Sequence, residues 1–162
     1  MQNVRGLKKM IDCPPDFTPF VYQTQEICVM QDYYSIDGVR TPLTVNQART
    51  IAEQNGWILP TRELVDAIWL AADCRLDPIT LYPNLGMEEY ELHNHLIVEQ
   101  LHHSDYEDCN IVAGHKKDTL KDGSIYGWHR ADGTPIQPVF YGHKNNYADY
   151  SHGIRFIIEG EN

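Results

Sequence analysis

Between Thr44 and His102 three consecutive stretches carry apolar residues at helical spacing, and no β-like pairing run separates them. Val45, Ala48, Ile51 and Ala52 share one face of a helix over 44–55, with Gly56 as its C-terminal stop. Thr61 is placed to cap a second helix whose stripe is Leu64, Val65, Ile68, Trp69 and Ala72. A third helix is expected over about 87–102, with Tyr90, Leu92, Leu96, Ile97 and Leu101 turned inward. A block of helices with the β-type residues gathered on either side of it argues for an α+β fold and against a doubly wound one.

The flanks complete the layout. Phe20 to Met30 reads as one strand, and Asp37-Gly38 between Tyr33–Ile36 and Val39–Thr41 is the strongest hairpin signal in the chain. After the helices, Ile111–Ala113, Ile125–Trp128, Ile136–Tyr141 and Ile154–Ile158 are β-like runs. They are divided by Asp122-Gly123, Asp132-Gly133 and Asn145-Asn146. The expectation is two N-terminal strands, three helices and a C-terminal antiparallel sheet of about four strands. Loops are expected at Asp77-Pro78 and Tyr82-Pro83-Asn84. Residues 1–19, a basic stub followed by Cys13-Pro14-Pro15-Asp16, read as an N-terminal arm, and 20–162 as a single α+β domain.

Charge narrows the classes of function. There are 13 Lys+Arg against 23 Asp+Glu, a formal net charge of -10. A surface that acidic repels phosphate backbones, so nucleic acid is not an expected partner. No stretch approaches the roughly 18–20 apolar residues of a membrane span, and the start lacks the apolar core of a signal peptide. Cys13, Cys28, Cys74 and Cys109 show no CxxC spacing. Together these features predict a cytoplasmic protein with mostly reduced thiols and no membrane partner. Nucleotide-binding glycine motifs are absent, and no cofactor is expected.

The chemistry concentrates late in the chain. All 8 histidines lie between positions 93 and 152. His93, His95, His102 and His103 fall on the third helix, where residues two apart do not face each other, so they read as structural or surface groups. His115, His129, His143 and His152 each stand beside a glycine at or near a β-like run, and they are expected to converge on one cleft. Lys116 and Lys117 are adjacent cations in an acidic chain, and Trp128-His129-Arg130 offers an aromatic face with a cation. If Tyr147–Phe156 is extended, Tyr147, Asp149 and Ser151 share one face while Tyr150 and His152 occupy the other. A base for Ser151 would then come from another strand, oriented by Asp149.

Two resemblances follow from these motifs. Ser151-His152-Gly153-Ile154-Arg155-Phe156 resembles the Ser-His-Gly-Cys-x-Arg signature of L,D-transpeptidases, with the nucleophilic cysteine slot missing. Leu59-Pro60-Thr61-Arg62 followed by Val65-Asp66-Ala67-Ile68, Val112 to Asp118, Tyr126 to His129, Pro135 to Pro138 and Tyr147 to Arg155 together resemble an uncharacterised family of bacterial proteins, many apparently exported. That resemblance implies no activity. The short length and the lack of an export signal would fit a phage or mobile-element copy.

The residues favour a hydrolase acting on an amide, ester or glycosidic bond of a small or polymeric substrate. Its catalytic set is His115, His143, Asp149, Ser151 and His152, with His115 or His143 as base and Ser151 as nucleophile. Lys116, Lys117, Tyr126, Trp128, His129, Arg130 and Gln137 are expected to bind substrate. A zinc variant would draw ligands from His115, His143, His152 or Asp149. The alternative is a non-catalytic binding protein, a phage-type inhibitor or a sequestering protein, that holds a small anion or a protein partner through Lys116, Lys117, Trp128 and Arg130.

Overall fold

Gln23 and Thr24 both take positive φ, 49° and 67°, and turn Phe17–Tyr22 (β1) back onto Gln25–Met30 (β2). Two central residues with positive φ form the tight turn that matches strand twist. The expected single strand over 20–30 is therefore a hairpin. Gln-Thr is not a usual turn pair, so nothing in the sequence announced it. This computed structural model describes residues 11–81 and 86–160. The basic stub over 1–10 and the predicted Tyr82-Pro83-Asn84 loop lie outside the described residues.

β2 is apolar on both faces, and its alternation divides the core in two. Cys28 and Met30 pack with Phe17, Leu43, Ala48, Ala52, Leu59, Ile154 and Phe156. Ile27 and Val29 pack with Leu64, Ile68, Trp69, Ala72, Ile111, Ala113 and Ile157. The first set is closed by Val45–Asn55 (α1), the second by Arg62–Ala71 (α2). Both helices start where expected. Thr44 accepts from the Gln47 amide in a full capping box, Gly56 ends α1 in the left-handed region, and Thr61 accepts from the Leu64 amide. Between β2 and α1, Ser35–Ile36 (β3) and Val39–Arg40 (β4) form the hairpin predicted at Asp37-Gly38.

Cys74–Arg75 (β5) follows α2, and a 3-10 turn at Gly86–Glu89 leads into Tyr90–His103 (α3). The buried residues of α3 are His93, Asn94 and Ile97, whereas Leu92 is 47% exposed. The apolar stripe expected there is thus corrected: the helix turns polar side chains inward because they meet buried charges on its neighbours.

The C-terminal third contributes to three sheets. Val112–Ala113 (β6) pairs with β5 in parallel. Lys117–Thr119 (β7), Ile125–His129 (β8) and Pro135–Phe140 (β9) form an antiparallel meander, and His152–Gly153 (β10) joins β7 in parallel. Ile157–Ile158 (β11) leaves to pair with β2. The four-stranded sheet therefore exists in the order β10-β7-β8-β9, but with one parallel pair and a different membership from the one expected. β7 was missed because Lys-Lys-Asp reads as a solvated turn, and the run over 154–158 belongs to the N-terminal sheet.

The four cysteines are paired, Cys13 with Cys28 and Cys74 with Cys109. This corrects the expectation of reduced thiols. The pairs bridge elements 15 and 35 residues apart, a partnership that no local spacing motif encodes. Cys13 and Ile11 pack on the first core cluster, so the expected arm is joined to the domain from residue 11 onward. Among the described residues no helix is long and apolar enough to cross a membrane.

Candidate functional site

Asp149 organises the loop that enters β10. Its Oδ1 accepts from the Ser151 amide at 2.9 Å and the Ser151 hydroxyl at 2.6 Å, and its backbone carbonyl accepts from the His152 amide. This is an aspartate-initiated turn, the local bond by which Asp competes with extended structure. It corrects the extended reading of Tyr147–Phe156. In a strand Asp149 and His152 would point to opposite sides; the turn brings them together at 3.6 Å, Oδ2 to Nε2.

His143, on the loop between β9 and β10, completes the group. Its ring lies 5.3 Å from that of His152 and stacks on Tyr147 at 4.0 Å. Tyr147 in turn donates to Asp149 Oδ2 at 2.8 Å. One donor atom from each of His143, Asp149 and His152 lies within 4.8 Å of the others. His143 is half-buried, whereas Asp149 and His152 are buried. His152 Nε2 has no hydrogen-bond partner.

Burial holds His152 down to about 4, and burial also lowers His143, against the nearby Asp149 charge that raises it. Burial opposes the Asp149 charge. His152, the Ser151 donors and the Tyr147 hydroxyl outweigh it and keep the carboxyl below its usual value.

The other predicted residues fall into separate groups. His115 is fully buried, and its Nε2 meets Asp32 Oδ1 at 2.7 Å. Asp32 also receives Arg40 Nε and Nη2 at 3.1 and 2.7 Å. Arg40 Nη1 reaches Asn94. His129 Nε2 and the Tyr126 hydroxyl share Asp66 Oδ1, at 2.8 and 2.7 Å, and His129 stacks on Trp69. The convergence expected of four histidines is met by His143 and His152; His115 and His129 are held by other carboxylates.

Lys116 is 1% exposed and donates to Tyr150 O and His93 Nδ1, so it is enclosed rather than offered to a ligand. Lys117 is half-buried, with Nζ 4.9 Å from the centre of the Trp128 ring. Trp128 is buried, Arg130 is exposed in the turn after β8, and Gln137 stands on β9 opposite Gly127.

Sequence reasoning gave no role to Asp32, Arg40, Asp66, Asn94 and Asp118. Asp118 is buried, accepts from the Tyr33 hydroxyl at 2.5 Å and is pushed by burial up to about 6. His93 takes the structural one of the two readings open to the helical histidines: it stands four residues before Ile97, on the inward face.

The expected role of glycine also changes. A Cβ at Gly114 would lie 2.3 Å from Leu76 O, and one at Gly153 would lie 2.7 Å from Lys116 Cβ. These glycines admit close packing within the fold.

No family model matches this chain, and neither a curated protein nor a solved structure does.

Proposed function

We propose that this chain is a hydrolase whose reacting centre is His143, Asp149 and His152 at the entry to β10, with Ser151 and Lys117 beside it. The observation that carries the reading is the orphaned His152 Nε2: it is buried, 3.6 Å from a carboxylate and without a hydrogen-bond partner, next to a half-buried histidine. An unmade bond on a buried polar atom costs about 1–3 kcal/mol, and such atoms call for a functional explanation. A water held between the two imidazoles and Asp149 would be the attacking group. Lys117, whose charge acts on both imidazoles, would offset negative charge developing on the substrate.

Ser151 takes a positioning role in this reading. Its hydroxyl proton points to Asp149 and not to an imidazole, which is the reverse of what an activated serine needs. The bond cleaved is an amide, ester or glycosidic bond. The two disulfides favour an oxidising compartment over the cytoplasm, in keeping with the resemblance to a bacterial family with many exported members.

The test is a turnover screen with chromogenic esters, oligopeptides and bacterial wall polymer, comparing the wild-type chain with His143→Ala and a surface control, His95→Ala. Turnover retained in the control and lost in His143→Ala supports the proposal. Absence of turnover on every class, with ligands recovered unchanged, replaces it with the binding-protein alternative.

A further inference from the structure

We infer that His143, Asp149 and His152 form an open site for one divalent transition-metal ion of the zinc class. The inference deepens the hydrolase reading and rests on it only for the use to which the ion is put.

The donor set itself selects the ion. Two imidazoles and one carboxylate suit zinc, cobalt or nickel; magnesium and calcium prefer oxygen alone. Three protein ligands with a fourth position left open is the arrangement of catalytic rather than structural zinc. The donors lie within 4.8 Å of one another. Tetrahedral bonds of about 2.0–2.1 Å bring ligands to about 3.4 Å apart, so a shift of about an ångström seats the ion. His143 sits on a loop and is half-buried, which lets it supply that shift.

Two further observations point to a ligand. His152 is 98% buried by its 2% exposure, and its Nε2 is unpaired and next to Asp149. Behind the donors stands an orienting shell of the kind metal sites use: Tyr147 donates to Asp149 Oδ2, and Ser151 donates twice to Oδ1. Asp149 sets one negative charge against the nearby Lys117. A bound ion would polarise the attacking water by lowering its pKa toward neutrality.

The experiment uses the full chain with its disulfides intact, treated with chelator and then desalted. Zn²⁺ is titrated by calorimetry, and Co²⁺ is followed by its visible spectrum. The expected result is one equivalent bound, with the intense bands of low-coordinate cobalt. His143→Ala and Asp149→Asn should each weaken binding by roughly a hundredfold or more, Tyr147→Phe by about tenfold, and His95→Ala not at all. The cobalt spectrum of the wild-type chain needs no variant to fold.

Binding well below one equivalent, or unchanged affinity in a folded His143→Ala, overturns the inference. Turnover by chelator-treated protein that added Zn²⁺ does not change overturns the ion's part in the reaction, while leaving the hydrolase reading in place. One equivalent bound without turnover on any substrate upholds the site and removes the hydrolase reading instead.

Discussion

His93 Nδ1 accepts a hydrogen bond from Lys116 Nζ at 2.9 Å, inside the protein. The other ring nitrogen meets Ile79 O at 2.8 Å and must donate to it, which fixes the neutral tautomer. Burial, reinforced by Arg40, pulls Lys116 down to about 7, and burial with the Lys116 charge pulls His93 down to about 3. An unfolded lysine keeps its proton to about 10.4. Between the two values the unfolded chain binds more protons, so this lysine makes stability rise with pH from about 7 to about 10. Lys116→Met removes that rise. Urea unfolding at several pH values should show the wild-type chain gaining on the variant across the window; a constant difference would contradict the assignment.

Asp32 is half-buried and behaves oppositely to an isolated carboxyl drawn out of water. Burial works against its charge, but His115 and the twofold contact from Arg40 outweigh it and hold it well below the usual carboxylate range. The resulting stability is present above about pH 4, the value of an unfolded aspartate, and is lost as pH falls toward the depressed folded value. Asp32→Asn leaves Arg40 without its charge partner and should cost roughly 3 kcal/mol at pH 7. The penalty shrinks in acid, as chemical unfolding at pH 7 and pH 3 will measure.

Ser151 separates two chemistries. A serine nucleophile would make Ser151→Ala inactive. In the arrangement observed the hydroxyl only steadies Asp149, and loss of such a support lowers activity by about 10–100-fold. Ser151→Ala should therefore keep measurable turnover, with no covalent adduct detected by mass spectrometry, where Asp149→Ala keeps none.

The disulfides close loops of 15 and 35 residues. On the chain-entropy estimate they stabilise by about 3 and about 4 kcal/mol. Cys74→Ser with Cys109→Ser should accordingly lose more than Cys13→Ser with Cys28→Ser. Thiol-reactive reagent should find no thiol in the native wild-type chain. Labelling without prior reduction would contradict the pairing.

How far the sequence carried is visible residue by residue. α1, α2 and the Asp37-Gly38 hairpin were legible because their signals are local: Thr44 and Thr61 cap with their own neighbours, and Gly56 and Gly38 supply positive φ. The part of the site on Asp149 and His152 was half legible. The residue types were there, but a two-residue side-chain bond turned a presumed strand into a bend. The rest depends on partners remote in sequence. Asp32 and His115 are 83 residues apart, and Asp66 and His129 are 63 apart. Nothing local tells a solvated Lys-Lys-Asp from a strand entry whose Lys116 is enclosed beside α3 and a strand whose Asp118 is met by Tyr33.

Gly153 tests whether that enclosure is as tight as the geometry says. β10 runs beside β7 with His152 opposite Lys117 and Gly153 opposite Asp118. A methyl group on Gly153 would lie 2.7 Å from both Lys116 Cβ and Tyr33 Cδ1, closer than side-chain carbons approach one another. Neither neighbour yields easily, because the Lys116 Cβ is fixed to the backbone directly before β7 and the Tyr33 hydroxyl is bonded to Asp118. Gly153→Ala should push β10 off β7 and cost about 1–3 kcal/mol or more. Because His152 precedes it directly, the substitution should also weaken Zn²⁺ binding. Gly38→Ala is the control: it meets nothing within 4 Å at a φ of 80°, so it bears only the backbone penalty of about 1 kcal/mol and should bind metal unchanged. Thermal unfolding and zinc calorimetry on the two variants separate steric pressure at β10 from the general effect of replacing a glycine.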